Sequence, residues 1–401
     1  MKNLVPSCLI RAVFVERPNR FLVRCVIETG EIVEAQMPNP GRLSELLLPG
    51  ARLYVSHIDP WRSCGSAMEA AREDRWVRKR KTNYTVWAVE RDKEVIFLHT
   101  HQTNRVAHYL LRRSRIPSLA AARVHGTEVV EGRSRFDFLM EEKGKTFFLE
   151  VKSVTLFGNG AALFPDAVTS RGKHHLEKLA ELGLRAEEYG LPKPVMLFLI
   201  HSDRVDRFLP DYHTDFAFAK TFLSVRNQVR LLPVSIGWTQ GLELKDTVRE
   251  LPIPWTFLDR EVRDGGAYVL LLRVDNRKQI IVGKLGVVDF QPGWYVYVGS
   301  AAKGLSARIA RHLRRRKRFH WHIDFLRDQT SRVVGLPIRS TQKQECALAD
   351  ELSQVFKSHS PGFGSSDCSC RTHLYFSSQD PFQVRGFHEV LERFRMPLSS
   401  L

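Results

Sequence analysis

The stretch Phe147-Phe148-Leu149-Glu150-Val151-Lys152 places two charged side chains within an apolar run. Because side chains alternate between the faces of a strand, Glu150 and Lys152 point to one face while Val151 points into the fold. Asp137, in the segment SRFDFLM, precedes Glu150 by thirteen residues, and the turn EEKGK between them predicts that Asp137 reaches the same spot. Two carboxylates and an ammonium in one place suit a hard cation beside the water that hydrolyses a phosphodiester.

The spacing D-x(12)-E-x-K resembles that of the PD-(D/E)xK nucleases. Asp137 and Glu150 are the predicted metal ligands, and Lys152 is predicted to orient or help deprotonate the water. Glu128, in TEVVEGRSRFDF, is an additional candidate ligand. An all-oxygen site with room for water favours Mg²⁺ or Mn²⁺. The plainer interpretation is a same-face ion pair on a half-exposed strand, which contributes little to stability.

An amphipathic helix is predicted after this strand. Pro165, Asp166 and Arg171-Gly172 open it, and its apolar residues Leu176, Leu179, Ala180 and Leu182 share one broad face. Asp166 is a candidate helix cap, and Arg171 is a candidate phosphate clamp.

Four blocks in this order, SRFDFL, LEVKSVTL, FPDAVTSRG and HHLEKL, resemble the sugar fermentation stimulation protein A (SfsA) family. The segments MPNPGRLSELLLPG at 37–50 and HQTNRVAHYLL at 101–111 extend the likeness to roughly residues 1–240. The resemblance implies an OB-like barrel followed by a nuclease-like domain, with DNA binding and a proposed DNA/RNA nuclease activity. It equally implies a rival role, that of a DNA-binding regulator of sugar-catabolism genes.

Composition limits the partners. The 401 residues carry 61 Lys+Arg against 44 Asp+Glu, a net charge of +17, which favours DNA or RNA over a small neutral ligand. Arg11 and Glu16 interrupt the amino-terminal segment, and no apolar run approaches the length of a membrane span. We therefore expect a cytoplasmic protein with no membrane partner, whose oligomeric state the sequence does not predict.

The pattern of short strands, turns and helices predicts a small β-barrel at 1–80, an α/β domain at 81–240, a proline-rich linker at 241–262, an α+β domain at 263–378 and a tail at 379–401. The resemblance implies that the barrel is OB-like and that the α/β domain is a PD-(D/E)xK restriction-endonuclease-like nuclease domain. Basic residues of the first two parts are candidate phosphate contacts. They are Arg24, Arg42 and Arg52 in the barrel, Arg80 and Lys81 in RWVRKRKTN, Arg105, and Arg171.

The carboxyl-terminal part resembles the GIY-YIG endonuclease fold through Gly266-Ala267-Tyr268, Tyr297-Val298-Gly299, and Arg308 with His312. The resemblance implies that Tyr268 or Tyr297 helps to deprotonate the attacking water. It also implies that Arg308 stabilises phosphate charge and that Glu345 holds a metal. Nearly thirty residues separate the two tyrosines, whereas the family has a short hairpin, so a binding role is an open alternative to catalysis.

Two further features lie in this part of the chain. The segment KGLSARIARHLRRRKRF has no acidic residue, so its charges call for an anionic partner, and Arg311, Arg314 and Arg315 are candidate nucleic-acid contacts. Cys346, Cys368, Cys370 and His373 are candidate ligands of a structural zinc ion, with partly buried thiols and a packed histidine as the alternative. The sequence thus predicts a nuclease, with a non-enzymatic regulator or two tandem nucleases as alternatives.

Overall fold

The computed structural model of the protein describes residues 5–6, 8–57 and 82–396. The chain divides into two compact units. One contains residues up to Pro210 together with Thr221–Ile253, and the other contains Asp211–Lys220 and the chain from Pro254 onward. Within these described ranges, none of the helices combines the length and apolar character needed to cross a membrane.

The first unit begins with a closed barrel, as predicted. Its strands are β1 (Ile10–Asn19), β2 (Leu22–Ile27), β3 (Ile32–Gln36), β4 (Arg52–His57), β5 (Tyr84–Arg91) and β6 (Glu94–Phe97). The order is β3-β2-β1-β4-β5-β6, and a parallel pairing of β3 with β5 closes five of the strands into a ring. Inward residues alternate with outward ones; in β2, for example, Val23, Cys25 and Ile27 are buried. The barrel extends past residue 80, because β5 and β6 complete it.

A mixed six-stranded sheet follows, in the order β15-β14-β12-β9-β8-β7. Its strands are β7 (Arg123–Glu131), β8 (Ser134–Glu142), β9 (Lys145–Val154), β12 (Val195–Ile200), β14 (Arg230–Trp238) and β15 (Leu244–Glu250). A smaller sheet contains β10 (Leu156–Gly158), β11 (Ala161–Phe164) and β13 (Arg207–Pro210). The helices of this part of the chain are α1 (Thr103–Arg112), α2 (Ser170–Glu188) and α3 (Phe216–Ser224). The apolar strand β12 is fully buried because it pairs in parallel with β9 on one side and β14 on the other.

The barrel and the α/β sheet share one hydrophobic core. Trp87 and Phe97 of the barrel belong to the same buried cluster as Leu149 and Val151 of β9 and Leu197 of β12. Val151 belongs to this cluster, as the alternation along β9 predicts, while the side chains of Glu150 and Lys152 hydrogen-bond to each other. The two predicted domains therefore form a single packed unit.

The predicted linker at 241–262 is wrong. Strand β15 pairs antiparallel with β14 through Ser235–Arg249 and Ile236–Val248. The chain then enters helix α4 (Trp255–Glu261), whose Phe257 and Leu258 are buried. Strand β15 lies at the sheet edge and exposes most of its polar residues, so it lacks the apolar alternation by which strands are recognised.

The second unit is built on a five-stranded sheet in the order β20-β16-β19-β22-β21. Its strands are β16 (Gly266–Val274), β19 (Gly293–Ala301), β20 (Arg332–Arg339), β21 (Lys357–Ser358) and β22 (Leu374–Ser377), and a separate hairpin contains β17 (Lys278–Ile281) and β18 (Val287–Phe290). The helices are α5 (Leu305–Leu313), α6 (His322–Asp328), α7 (Glu345–Ser353) and α8 (Arg385–Arg395). The hairpin of β17 and β18 accounts for the long interval between the two tyrosines, because β16 and β19 are still direct antiparallel neighbours.

The predicted tail at 379–401 is also wrong for its described part. Helix α8 buries Phe387, Val390 and Leu391 in the same core as Leu271 of β16 and Leu348 of α7. The second unit therefore continues to the end of the described chain. Arginine and glutamate residues separate these apolar positions, a pattern typical of a helix on the protein surface. The sequence prediction did not recognise this helix.

Candidate active site in the first unit

The central acids meet across two adjacent strands. Phe138 of β8 pairs with Leu149 of β9, so the next residues along the two antiparallel strands are Asp137 and Glu150. The sequence prediction that Asp137, Glu150 and Lys152 lie together is therefore matched by the geometry of this hairpin.

Asp137 is held by two hydrogen bonds. Its Oδ2 accepts the backbone N–H of Val151 at 2.7 Å, and its Oδ1 accepts Asn104 Nδ2 at 2.6 Å. Burial, assisted by the neighbouring charge of Glu150, raises the pKa of Asp137 to about 6. The carboxylates of Asp137 and Glu150 repel each other, and a cation bound between them would remove this repulsion.

Glu150 is almost fully buried, with 4% of its surface exposed. Its Oε1 accepts Lys152 Nζ at 2.6 Å and also contacts His175 Nδ1. Burial alone would raise the pKa of Glu150, but hydrogen bonds from His175 and Lys152 outweigh burial and hold it below the usual value. Glu150 is thus kept ionised inside the protein.

His175 and Asn104 were missed as site residues at the sequence level. His175 lies in the block HHLEKL on α2, and Asn104 lies in the block HQTNRVAHYLL on α1. Only the folded chain shows that the two helices bring these residues to the acids. Helix α2 begins where the Thr169 side chain accepts the N–H of Gly172, so Thr169, and not Asp166, is its cap.

A pocket of about 430 Å³ opens beside this cluster. Its lining comes from the turn containing Pro40, the start of α1, strand β9 and the segment before α2; it includes Arg20, Asn39, Gly41, Asn104, Lys152 and Asp166. The turn is held by Arg17, which donates to the carbonyls of Asn39 at 2.9 Å and Gly41 at 2.8 Å. A Cβ on Gly41 would lie 2.0 Å from Asp166 Oδ2, so any larger residue there would displace the Asp166 carboxylate.

Glu128, predicted as an additional metal ligand, lies beside an arginine and not beside the two acids. It lies on the edge strand β7, is about half exposed, and pairs with Arg135 at 3.0 Å. Among the contacts of the described residues, its carboxylate joins neither Asp137 nor Glu150. The ion pair with Arg135 satisfies its charge, so the predicted additional ligand is not part of this cluster.

The basic residues of the first unit fall into two groups. Arg24 pairs with Glu16 at 2.6 Å and Glu34 at 3.0 Å, and Arg52 lies 3.5 Å from Glu90. Their charges are therefore already matched on the barrel surface. The exposed candidates are Arg42, Arg105, which donates to Gln102 at 3.1 Å, and Arg171 at the start of α2. Arg80 and Lys81 lie outside the described residues.

The two tyrosines of the second unit are brought together but buried. Tyr268 pairs with Gly299 and Tyr297 pairs with Leu270 across β16 and β19, and their ring centroids are 6.4 Å apart. Tyr268 Oη lies 3.0 Å from His312 Nε2. Burial raises the pKa of both tyrosines. A Cβ on Gly299 would lie 2.4 Å from Tyr268 Oη, so packing explains that glycine.

Arg311 is not a free phosphate contact. Its guanidinium donates to both carboxylate oxygens of Asp324, at 3.1 Å and 3.0 Å, and Lys317 reaches the same carboxylate at 2.9 Å. Asp324 is fully buried. The basic segment KGLSARIARHLRRRKRF contains no acid of its own, but Asp324 of α6 pairs with two of its residues. Arg308 instead lies over the ring of Trp321, 4.3 Å from its centroid.

Arg314 and Arg315 are exposed beyond the end of α5. They take part in none of the ion pairs between described residues. These two residues therefore remain candidates for nucleic-acid contact, in contrast to Arg311.

Glu345 and the four candidate zinc ligands form one cluster. The ligand atoms of Cys346, Cys368, Cys370 and His373 all lie within 4.8 Å of one another, and this set could hold a metal ion. Glu345 accepts a hydrogen bond from Ser300 and lies 3.3 Å from His373 Nδ1. The carboxylate of Glu345 therefore faces a histidine instead of a second acid.

Three family models match the chain. The SfsA N-terminal OB domain matches residues 15–98, the sugar fermentation stimulation protein RE domain matches residues 101–241, and the domain of unknown function DUF123 matches residues 267–396. The matched ranges agree with the barrel, the α/β sheet and the second unit. The last domain is related to the GIY-YIG-like fold.

Relatives of the first unit are similar over most of their length. A sugar fermentation stimulation protein homolog of Methanosphaera stadtmanae is 32% identical over 56% of this chain and 86% of its own. The homolog of Moorella thermoacetica is 36% identical over 54% of this chain and 84% of its own. The solved structure of Pyrococcus furiosus SfsA in complex with Ca²⁺ is similar in fold, with a TM-score of 0.50 and 23% identity over 62% of this chain and 96% of that one. The chain belongs to the sugar fermentation stimulation protein (SfsA) family and carries a DUF123 domain after the family's two domains.

Proposed function

We propose that this protein binds DNA or RNA and hydrolyses its phosphodiester bonds at the cluster of Asp137, Glu150 and Lys152, with Mg²⁺ or Mn²⁺ as cofactor. The observation that carries the proposal is the pair of adjacent carboxylates, Glu150 buried and Asp137 half-buried, beside a pocket of about 430 Å³ whose lining includes Lys152. A purely structural ion pair needs neither the second acid nor the pocket.

The donor set fits a hard divalent cation. Glu150 Oε2 is buried and has no hydrogen-bond partner within the described chain, and leaving a charged oxygen in that condition is unfavourable. Asp137 and Glu150 would hold the ion through oxygen atoms, which Mg²⁺ and Mn²⁺ prefer. When bound, such an ion supplies positive charge for the phosphate and makes a water molecule more acidic. The Ca²⁺ in the structure of Pyrococcus furiosus SfsA supports a hard cation for this family.

The protein's own groups have separate tasks. Lys152, at the wall of the pocket, orients the attacking water and offsets phosphate charge. His175 keeps Glu150 ionised, and Asn104 fixes the rotamer of Asp137. The exposed arginines Arg20, at the pocket, and Arg171, at the start of α2, supply charge for the nucleic-acid backbone.

Cleavage assays with labelled single- and double-stranded DNA and RNA test the proposal. Wild-type protein is expected to cleave at least one substrate with Mg²⁺ or Mn²⁺ and to stop when a chelator is added. Glu150→Gln keeps the side-chain shape and is expected to lower the rate by about 100-fold or more, because a charge at the reacting centre is lost. Glu177→Gln is the matched control, since Glu177 is a partly exposed acid of α2 paired with Lys173.

Binding without cleavage by the wild type, under every metal and substrate condition, would contradict the enzyme and support the DNA-binding regulator. Equal cleavage by wild type and Glu150→Gln, with loss in Arg308→Ala, would instead place the chemistry in the second unit.

A further inference from the structure

Three segments of the second unit bring four metal-binding side chains together. Cys346 lies in the first turn of α7, Cys368 and Cys370 lie in the connection between β21 and β22, and His373 immediately precedes β22. Cys368 Sγ is 3.5 Å from His373 Nε2. We propose that these four residues bind one structural zinc ion.

The type and number of ligands indicate zinc. Three thiolates and one imidazole form a soft, tetrahedral set, which suits Zn²⁺ and not the hard ions proposed for the first unit. The ligand atoms lie within 4.8 Å of one another, and a zinc tetrahedron with bonds of about 2.3 Å to sulfur has corners about 3.8 Å apart, so small side-chain shifts would bring all four atoms onto one ion. Because the protein supplies all four ligands, no position is left for substrate, and the site is structural.

Hydrophobic packing does not explain the cluster. Cys346 is exposed, Cys368 and Cys370 are half-buried, and none of the three belongs to the hydrophobic cores of this unit. Apolar thiols that serve only as packing are usually buried. Three thiols converging on one buried imidazole are better explained by a shared ligand.

Glu345 acts as the partner that orients the histidine. His373 Nε2 faces Cys368, while His373 Nδ1 lies 3.3 Å from Glu345 Oε1. A carboxylate behind a metal-binding histidine fixes its tautomer and ring direction. Ser300 of β19 donates to the same carboxylate and ties it to the sheet. Glu345 is thus a positioning residue for zinc, which differs from the direct metal-ligand role that the resemblance to the GIY-YIG fold implies.

The ion would fasten the connection before β22 to α7. That connection contains Phe363, which is fully buried and stacks edge to face with Tyr297, and Gly364, whose N–H donates to His322 Nδ1 at 3.1 Å. Zinc would therefore hold in place the connection whose Phe363 packs against Tyr297. Its loss is expected to loosen this connection while leaving the first unit folded.

Metal analysis of the purified full-length protein tests the proposal. The wild type is expected to hold one zinc per chain after dialysis against metal-free buffer. Cys368→Ser and Cys370→Ser should lose it, whereas Cys25→Ala should keep it, because Cys25 is a buried thiol of the barrel. Substitution with Co²⁺ should produce thiolate charge-transfer and tetrahedral ligand-field absorption in the wild type and in Cys25→Ala. Both signals should disappear in the other two variants.

Glu345→Gln separates a metal site from a packed cluster. It is expected to weaken zinc affinity by about 10–100-fold while retaining one zinc at saturation. If the cysteine variants do not fold, stripping the wild type with a strong chelator and restoring zinc provides the same comparison through thermal unfolding. Two results would overturn the proposal. One is a wild-type protein that binds neither zinc nor cobalt after its thiols are reduced. The other is a disulfide between two of these cysteines in the freshly purified protein. Cleavage at Glu150 is measured separately, so either result stands without the other.

Discussion

Asn104 Nδ2 donates a 2.6 Å hydrogen bond to Asp137 Oδ1 and thereby connects α1 to the acid on β8. The bond leaves Asp137 with a fixed orientation toward Glu150, at a position where burial already raises its pKa to about 6. The site therefore depends on a helix that contributes no charge to it.

Asn104→Ala is expected to lower the affinity for Mg²⁺ by about 10–100-fold, because the proposed ligand Asp137 loses the group that orients it. Calorimetric titration of the full chain with Mg²⁺ measures the change. Gln102→Ala is the control, since the Gln102 side chain accepts a hydrogen bond from Arg105, in the next turn of the helix, instead of bonding to Asp137. Equal Mg²⁺ affinity in wild type and Asn104→Ala would show that the amide has no role in metal binding.

His175→Ala is expected to move the acidic limb of the pH–rate profile to higher pH. The hydrogen bond from His175 is the largest effect that lowers the pKa of Glu150, so that pKa rises when the bond is removed. The rate should therefore fall more at acidic than at alkaline pH. His174→Ala, at the exposed neighbouring position, should leave the profile unchanged. A uniform loss of rate at every pH would point to a packing role for His175 instead.

Arg314→Ala with Arg315→Ala is expected to weaken nucleic-acid binding without changing stability, because both side chains are exposed. Binding is measured by fluorescence anisotropy at several salt concentrations. The slope of the logarithm of the binding constant against the logarithm of the salt concentration should be smaller in magnitude by about 2, about one for each lost phosphate contact. Arg311→Ala should instead lower the unfolding temperature, because it removes a bidentate partner of Asp324. An unchanged salt slope in the double variant would exclude these arginines from the interface.

Asp324→Asn is expected to destabilise the second unit by about 3–5 kcal/mol, because Arg311 and Lys317 lose their buried partner. Burial opposes ionisation of Asp324, but hydrogen bonds from His312, Arg311 and Lys317 outweigh it and hold its pKa well below the usual 3.8. The stabilisation is therefore fully present above about pH 4 and is lost as the pH falls below that value.

Thermal unfolding followed by circular dichroism measures this difference. The gap between wild type and Asp324→Asn should be wide at neutral pH and narrow in acid. Asp328→Asn, at the end of the same helix, is the control, because its carboxylate bonds the adjacent Gln329 on the surface. A gap independent of pH would assign the loss to packing.

Much of the fold and the central cluster followed from local pattern. Glu150, Val151 and Lys152 alternate on one strand, and a short turn returns the chain to Asp137, so strand geometry alone places these residues together. The two tyrosines were likewise placed by strands that are direct neighbours in the sheet. The edge strand β15 and helix α8 were missed, because exposed polar residues dilute the apolar pattern that marks such elements.

Contacts between residues far apart in the chain could not be predicted in this way. His175 reaches Glu150 from α2, Asp324 of α6 pairs with Arg311 and Lys317 of the basic segment, and Glu345 faces His373. Each pairing depends on how helices pack on a sheet, which residue spacing does not encode. Alternation and turn chemistry act over a few residues and so can be inferred from the chain, whereas the partner of a buried charge is chosen by packing across the whole unit.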